Sequence, residues 1–363
     1  KKEMMQLSHL KEINALEPPS LADSFHNHPP ENFKSVKINY ENTKLSAFFA
    51  RFNLLTTLDD DQLWIADKLT KLGLSNLTCF NTLFSGTTVT EYSVLASCRN
   101  LKGMIEAYIN EAVNRKAQLL IIKDLPLDSP LLSAEENQVS KQILDNCTND
   151  KRFLVLDGQA LAYVPIDFEN IDQYLANQSK LRRKDLRKKL KKKSELEIKE
   201  MKTGSFFNDK ELLQSMYLLY LNVFEQSKYH FDKLSFDFFK DILSTQNNGI
   251  VFLYYCDLKL IGYNICFVHN KNLIDKYVGF AYPEAREYNL YFVSWFVNLE
   301  YAIKHNLKNY IAGWTDPKVK AYLGASFTLT KHAVFIRNSI LRKILTPLKK
   351  FFENDSNWQK GRG

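Results

Sequence analysis

The feature that most constrains this chain is the order of patterns over residues 250–324. Three runs rich in β-branched and aromatic residues come first: 250–256 (IVFLYYC), 258–268 (LKLIGYNICFV) and 273–281 (LIDKYVGFA). Short polar turns at Asp257 and at 269–272 (HNKN) separate them, which is the pattern of an antiparallel meander. Tyr282-Pro283 ends the third run, and a helix is expected over 289–305. Its apolar residues, among them Leu290, Phe292, Val293, Trp295, Phe296, Leu299 and Ile303, fall almost all round, so this helix belongs inside the protein. A strand follows at 309–313 (NYIAG). Trp314-Thr315-Asp316-Pro317 then reads as a helix start, in which the Asp316 side chain takes an orphan N–H and Pro317 has none to lose. Gly324 stands where a left-handed residue would end that short helix, and 328–336 is expected to be a last strand closing the set.

Charge singles out a second stretch. The chain carries a net +8, yet between Lys180 and Lys193 ten Lys or Arg stand against one Asp, a local +9, so the remainder sums to −1. No proline or glycine interrupts 174–194, and Leu186 and Leu190 stand four apart, so one amphipathic helix is expected over the whole stretch. A run of Lys and Arg is usually a solvated face. This one is internal and concentrated, and such a field points to a polyanionic partner: tRNA, an acidic acyl carrier protein, or an anionic membrane met peripherally.

The remaining sequence supplies context. A length of 363 residues suits two domains. We expect an extended lead-in over 1–32, a first α/β unit over 33–150, a second over 151–345 and a basic tail over 346–363. In the first unit, strands are expected at 36–40, 46–54 and 118–123, and helices at 59–72, 98–117 and 134–147. It carries no Gly-rich phosphate cradle, triad or metal spacing and reads as a supporting domain. In the second unit, helices at 209–226 and 235–244 flank a polar corner, Ser227-Lys228-Tyr229-His230. Five scattered cysteines without CxxC spacing argue for free thiols, no metal and a reducing compartment. No run of 18 apolar residues and no secretory leader are present, so a cytoplasmic protein is expected, with a peripheral contact at the inner membrane face if the basic helix meets lipid.

With these residues in view, the chain resembles the FemABX-like branch of the GNAT superfamily, bacterial proteins labelled peptidoglycan biosynthesis/recognition or BioF2-like acetyltransferases. The resemblance rests on the element order of 250–336, on Tyr174-Leu175 followed by 179–188 (SKLRRKDLRK), and on 320–325 (KAYLGA). It covers 166–344, more weakly the first half. It implies an α/β fold of two tandem GNAT-like domains, each a mixed, largely antiparallel sheet flanked by helices. It also implies an active cleft between them or in the second, and transfer of an acyl or aminoacyl group to an amine. One departure stands out. The GNAT pyrophosphate loop, Q/R-x-x-G-x-G/A, is missing, and the chain reads FAYPEAREYN over 280–289. Without small residues, backbone N–H groups cannot closely approach a pyrophosphate, which puts ordinary coenzyme A binding in question.

Acyl transfer to an amine requires that the amine lose a proton, that the carbonyl oxygen find a donor, and that the donor be held in line. Trp314 and Asp316 lie just past the 309–313 strand, where the resemblance places the site; Asp316 reads as a helix cap or as the general base, with Tyr288 as a further catalytic candidate. Arg286 and Asn289, at a helix start, and Lys318 and Lys320, on the short helix, are candidates for the donor's phosphates, as are Arg182, Arg183, Arg187 and Lys188. Lys228, Tyr229 and His230 are candidates for the acceptor side. The expected activity is N-acyl transfer from acyl-CoA or an acyl-carrier thioester to a primary amine, without a metal. The alternatives are aminoacyl transfer from tRNA, of the Fem type, and a non-catalytic RNA- or membrane-binding module. Oligomeric state is not legible.

Overall fold

The structure, a computed structural model, describes residues 12–57, 64, 68, 71, 78–227, 230–244, 249–347 and 349. In chain order its strands are β1 (Glu12–Ile13), β2 (Lys34–Tyr40), β3 (Thr43–Asn53), β4 (Cys79–Ser85), β5 (Leu95–Ala96), β6 (Leu119–Leu127) and β7 (Phe153–Pro165). The second half adds β8 (Glu197–Lys202), β9 (Gly249–Cys256), β10 (Lys259–His269), β11 (Asn272–Phe280), β12 (Asn309–Gly313) and β13 (Ser326–Ile336). The chain forms two units: Lys1–Ala15, Pro29–Ala160 and Thr328–Gly363 make the first, Leu16–His28 and Leu161–Phe327 the second.

In the first unit β2, β3 and β4 form an antiparallel meander, and β4 then runs parallel to β6. The helix Leu101–Asn114 covers this sheet with Met104, Ile105, Tyr108, Ile109 and Ala112, which pack with Leu45, Leu83, Leu120 and Ile122. The helix Ala134–Thr148 starts in a complete capping box, in which the Ser133 hydroxyl takes the Glu136 N–H and the Glu136 carboxylate takes the Ser133 N–H.

The second unit holds the meander expected from 250–281. Its β8, β9, β10 and β11 are antiparallel neighbours, and β11 pairs in parallel with β12. Between β11 and β12 runs the helix Leu290–Lys304, buried from Leu290 to Ala302 on most of its circumference, as its all-round apolar pattern predicts. Each unit is a mixed, largely antiparallel sheet flanked by helices, the fold class expected.

Several expectations change. The last strand does not close the second sheet: β13 pairs antiparallel with β6 in the first unit. Its place beside β12 is taken by the end of β7, through Ala162, Tyr163, Val164 and Pro165. At 13 residues β7 is about twice an ordinary strand, and it contributes to both units. The basic stretch 174–194 is not one helix. It divides into Ile171–Ala176, Lys180–Leu190 and a tight turn at Lys191–Glu195, because the Ser179 hydroxyl accepts the Arg182 N–H and starts a new helix. The lead-in is helical at Pro19–Asn27, with Pro19 in the first turn and Leu21, Ser24 and Phe25 buried. Of the helix expected over 59–72 only Trp64, Lys68 and Lys71 are described, and these are helical; most of the tail from 346 falls outside the described residues.

Candidate active site at the splayed strands of the second unit

The parallel pairing of β11 and β12 is short: Asn272 faces Asn309, Leu273 faces Tyr310 and Ile274 faces Ile311, and there it stops. On its other edge β11 meets β10 with a register shift after Ile265, where Asp275 lies opposite Cys266. The first residue beyond the last parallel pair is therefore an aspartate, set at an irregular point of the sheet.

Asp275 is half-buried, and its carboxylate collects donors from three elements. Asn264 on β10 donates to both of its carboxylate oxygens at 3.1 and 3.2 Å. Asn298 on the buried helix donates to Oδ2 at 2.9 Å, and the Tyr310 hydroxyl on β12 to the same oxygen at 3.0 Å. The Cys266 thiol lies 3.7 Å from Oδ1. Burial raises the Asp275 pKa above its ordinary value; the Asn264 and Tyr310 hydrogen bonds and the Lys320 ammonium oppose that shift, and burial wins. The Cys266 thiol is pushed well up by burial and by the Asp275 charge, so it is an inert thiol. Beside this network, buried polar atoms are left without a hydrogen bond: the hydroxyls of Tyr254 and Tyr291 and Oδ1 of Asn264. A buried polar group without a partner is costly, and such groups concentrate where a protein binds something.

Sequence reasoning missed this network, although a signal existed. Asp275, Asn264 and Asn298 each interrupt an otherwise apolar element, and a lone polar residue on a core-facing position needs a partner.

The expected site residues divide. Asp316 follows β12, but its side chain does not cap the helix Pro317–Leu323: the residue is left-handed (φ 53°, ψ 51°), which turns the carboxylate away from the first-turn N–H groups, and only its carbonyl is used, by Lys320 N–H at 3.0 Å. The left-handed region is uncommon for a residue other than glycine, and aspartate is among the few that tolerate it. Pro317 and the left-handed Gly324 bound the helix as expected. A Cβ at Gly324 would lie 2.4 Å from the Gln178 amide, so this position also admits a close approach that only glycine allows. The Asp316 charge reaches two tyrosines. Tyr291 is raised mainly by burial and then by Asp316, and Tyr282 mainly by burial, with Asp316 adding to the rise and Arg286 opposing it. The Arg286 guanidinium lies 5.3 Å over the Tyr282 ring and reaches Gln226 at 3.4 Å. Asp316, Tyr291, Tyr282 and Arg286 thus share one neighbourhood, with Trp314 half-buried at its edge. Asn289 is left-handed too (φ 51°, ψ 40°), and its side chain caps nothing.

Other candidates serve elsewhere. The Tyr288 hydroxyl takes the Cys256 S–H at 3.1 Å, which pushes its pKa up to about 12, and the Lys192 ammonium sits 5.3 Å over its ring. Lys318 is exposed, whereas Lys320 is buried, at 5% exposure, near Asp275. On the basic helix Arg182 reaches Gln178 at 3.0 Å and the Ala321 carbonyl at 3.4 Å and lies 5.2 Å over the Tyr322 ring. Lys189 pairs with Asp185 at 2.6 Å and sits 4.0 Å over Phe292, Tyr322 donates to Asp185 at 2.5 Å, and Lys193 pairs with Glu300. Three of the ten basic side chains, Arg182, Lys189 and Lys193, are therefore staples holding this segment to its own unit. Arg183 bonds the Ala176 carbonyl at 3.3 Å, Arg187 pairs with Asp172 at 2.8 Å, and Lys188 is exposed. His230 is exposed, its Nε2 2.9 Å from the Phe224 carbonyl; Lys228 and Tyr229 lie outside the described residues. Among the described residues no cluster of His, Cys, Asp or Glu is arranged to hold a metal, and no helix is long and apolar enough to cross a membrane.

Comparison with known proteins places the fold. L-PGS from Bacillus licheniformis matches with a TM-score of 0.53 at 8% identity, over 94% of this chain and 98% of that one. The C-terminal domain of a protein assigned as lysylphosphatidylglycerol synthetase from Agrobacterium fabrum matches with a TM-score of 0.53 at 11% identity, over 90% and 93% of the two chains. A FemX structure matches with a TM-score of 0.50 at 11% identity, over 93% of this chain and all of that one, a value of 100%. At such identities these likenesses are of fold. No curated protein matches the sequence. The FemAB-like family model, described as peptidoglycan biosynthesis/recognition, matches residues 106–357, and on that match the chain belongs to the FemAB-like family.

Proposed function

We propose that this protein is a transferase that moves an acyl or aminoacyl group from a carrier to a primary amine at the splay of β11 and β12. The observation that carries this reading is the convergence there of the buried Asp275 network, the unpartnered Tyr291 hydroxyl and the left-handed Asp316. In this reading the exposed Asp316 carboxylate takes the proton of the attacking amine. The nitrogen adds to the donor carbonyl, and the developing oxyanion is met by the Tyr291 hydroxyl, which its raised pKa keeps protonated. Collapse breaks the bond between the carbonyl carbon and the carrier's oxygen or sulfur, the leaving atom takes the proton that Asp316 removed from the amine, and the amide remains. Asp275, held by Asn264, Asn298 and Tyr310, positions the strands and the Lys320 ammonium and does not itself meet substrate.

Of the donors considered, the segment leading into the buried helix favours an aminoacyl-tRNA ester over a coenzyme A thioester. The Tyr288 N–H is spent on Glu284 O at 2.9 Å and the Asn289 N–H on Arg286 O at 3.2 Å. Large side chains, Tyr282, Arg286 and Tyr288, occupy the ground a pyrophosphate needs. The test is transfer of labelled aminoacyl groups from charged tRNA, and of labelled acetyl from acetyl-CoA, to peptidoglycan-precursor and lipid amines. Product from charged tRNA alone is the expected result; product from acetyl-CoA alone would replace the donor assignment, and no product from either would remove the transferase reading.

A further inference from the structure

The outward face of the basic helix has a composition that its stapled face lacks. Lys180, Lys184, Lys188 and Lys191 stand at spacings of four, four and three, so they form one stripe. All four are exposed, and none carries an ion pair of the kind that occupies Arg187, Lys189, Lys192 and Lys193. Leu181 sits beside Lys184 and Lys188 on the same face and is 83% exposed, although Leu186, on the opposite face, is fully buried.

A second exposed leucine flanks the C-terminal end of this segment. Leu258, at the tip of the β9–β10 hairpin, is 89% exposed and left-handed (φ 66°), as is Asp257 before it (φ 48°). A two-residue turn of this kind ordinarily takes Asn-Gly, and leucine there is strained. The tip is tied to the basic segment through Cys256, Tyr288 and Lys192, by the 3.1 Å thiol–hydroxyl contact and the 5.3 Å cation–ring contact already described. A strained, fully exposed leucine contributes nothing to its own fold.

We propose that this face of the second unit docks on an anionic phospholipid bilayer, with the four lysines on headgroup phosphates and Leu181 and Leu258 inserted among the acyl chains. Charge complementarity draws it to any polyanion, but the two leucines discriminate: a tRNA backbone offers them nothing, whereas the membrane interface rewards a cationic helix with apolar residues set into it. The inference does not depend on the transfer reaction, since docking is measured without substrates.

The test is co-flotation of the full chain with vesicles of phosphatidylcholine alone or of phosphatidylcholine with phosphatidylglycerol, at low and moderate salt. Binding to the phosphatidylglycerol vesicles only, weakening as salt rises, is expected. The variant Lys180→Gln/Lys184→Gln/Lys188→Gln should bind about a hundredfold more weakly. Leu181→Ser, which leaves the charge unchanged, should lose about tenfold. Leu258→Gly should weaken binding while the melting temperature holds or rises, since glycine accepts a positive φ. Thermal melting of each variant confirms folding. Absence of vesicle binding at low salt overturns the proposal. So does retention of full binding by both leucine variants, and so does a deacylated tRNA that displaces the protein from vesicles and binds all three variants according to charge alone.

Discussion

The two units repeat one device and use it differently. In the first, β4 and β6 pair in parallel through Thr82–Leu119, Leu83–Leu120 and Phe84–Ile121; in the second, β11 and β12 pair through three residues as well. Beyond the break, each unit buries charge. In the first, Lys123 pairs with Asp124 and donates to the Thr87 carbonyl at 2.9 Å, and the Asp124 N–H goes to His332 Nδ1 at 3.0 Å. The Ser85 hydroxyl takes the Lys123 N–H at 3.2 Å and meets the Ser93 hydroxyl at 2.8 Å. The charged groups of that cluster find their partners within it, and β13 lies along β6 over the same span. In the second unit the carboxylate is equally well held, but Tyr254, Tyr291 and Asn264 keep unanswered polar atoms and Asp316 stays exposed in a left-handed conformation. Neither a left-handed aspartate nor an unanswered hydroxyl separates the two by itself, since Asp124 is left-handed as well (φ 47°) and Thr88 Oγ1, next to Thr87, also lacks a hydrogen bond; the difference is that Asp124 is tied to Lys123 and His332, whereas the Asp316 carboxylate is exposed and caps nothing.

The largest expected effect lies in the second unit. Asp275→Ala takes the acceptor from the Asn264, Asn298 and Tyr310 donors and removes a charge near Lys320, so chemical denaturation should show a loss of about 3–5 kcal/mol. A loss below about 1 kcal/mol would mean that water already serves these donors. Next comes Asp316→Asn, which keeps a residue tolerant of the left-handed conformation and removes the carboxylate proposed as base. Transfer should fall about a hundredfold or more, with the melting temperature unchanged; a parallel loss of stability would return Asp316 to a structural role.

Smaller effects distinguish the two clusters by pH. Burial raises Asp275 above 3.8, so between that value and its folded value the folded chain keeps a proton the unfolded chain has released. Stability relative to Asp275→Asn should therefore fall as pH rises through that window. Burial lowers His332 below 6.5, so there the unfolded chain takes up a proton the folded chain refuses. Stability relative to His332→Gln should fall as pH drops below 6.5. Melting curves of both pairs from acid to neutral pH check the two opposite slopes; slopes of the same sign would contradict the assigned burial.

Much of the second unit was legible because its elements carry strong local periodicity, from the IVFLYYC strand to the helix that is apolar all round. What was not legible depended on contacts far apart in sequence. Nothing in 328–336 says that it pairs with β6 rather than β12, and both partners are apolar runs. The break before Lys180 was written in Ser179, a cap that uninterrupted charge concealed. Asp316 was placed correctly at the end of β12, but a cap is decided by backbone conformation, and φ 53° disallows the one its residue type suggested. Asp275 required three elements to be brought together before its partners existed.

The central claim, that the second splay is the active centre and the first a strut, meets its most direct test in one experiment: transfer from charged tRNA to an amine acceptor, measured side by side for the unaltered chain, Asp316→Asn and His332→Gln, each with its melting temperature. The account predicts that Asp316→Asn abolishes transfer in a fully folded chain while His332→Gln retains it. Loss of transfer in a folded His332→Gln chain with Asp316→Asn active would contradict it.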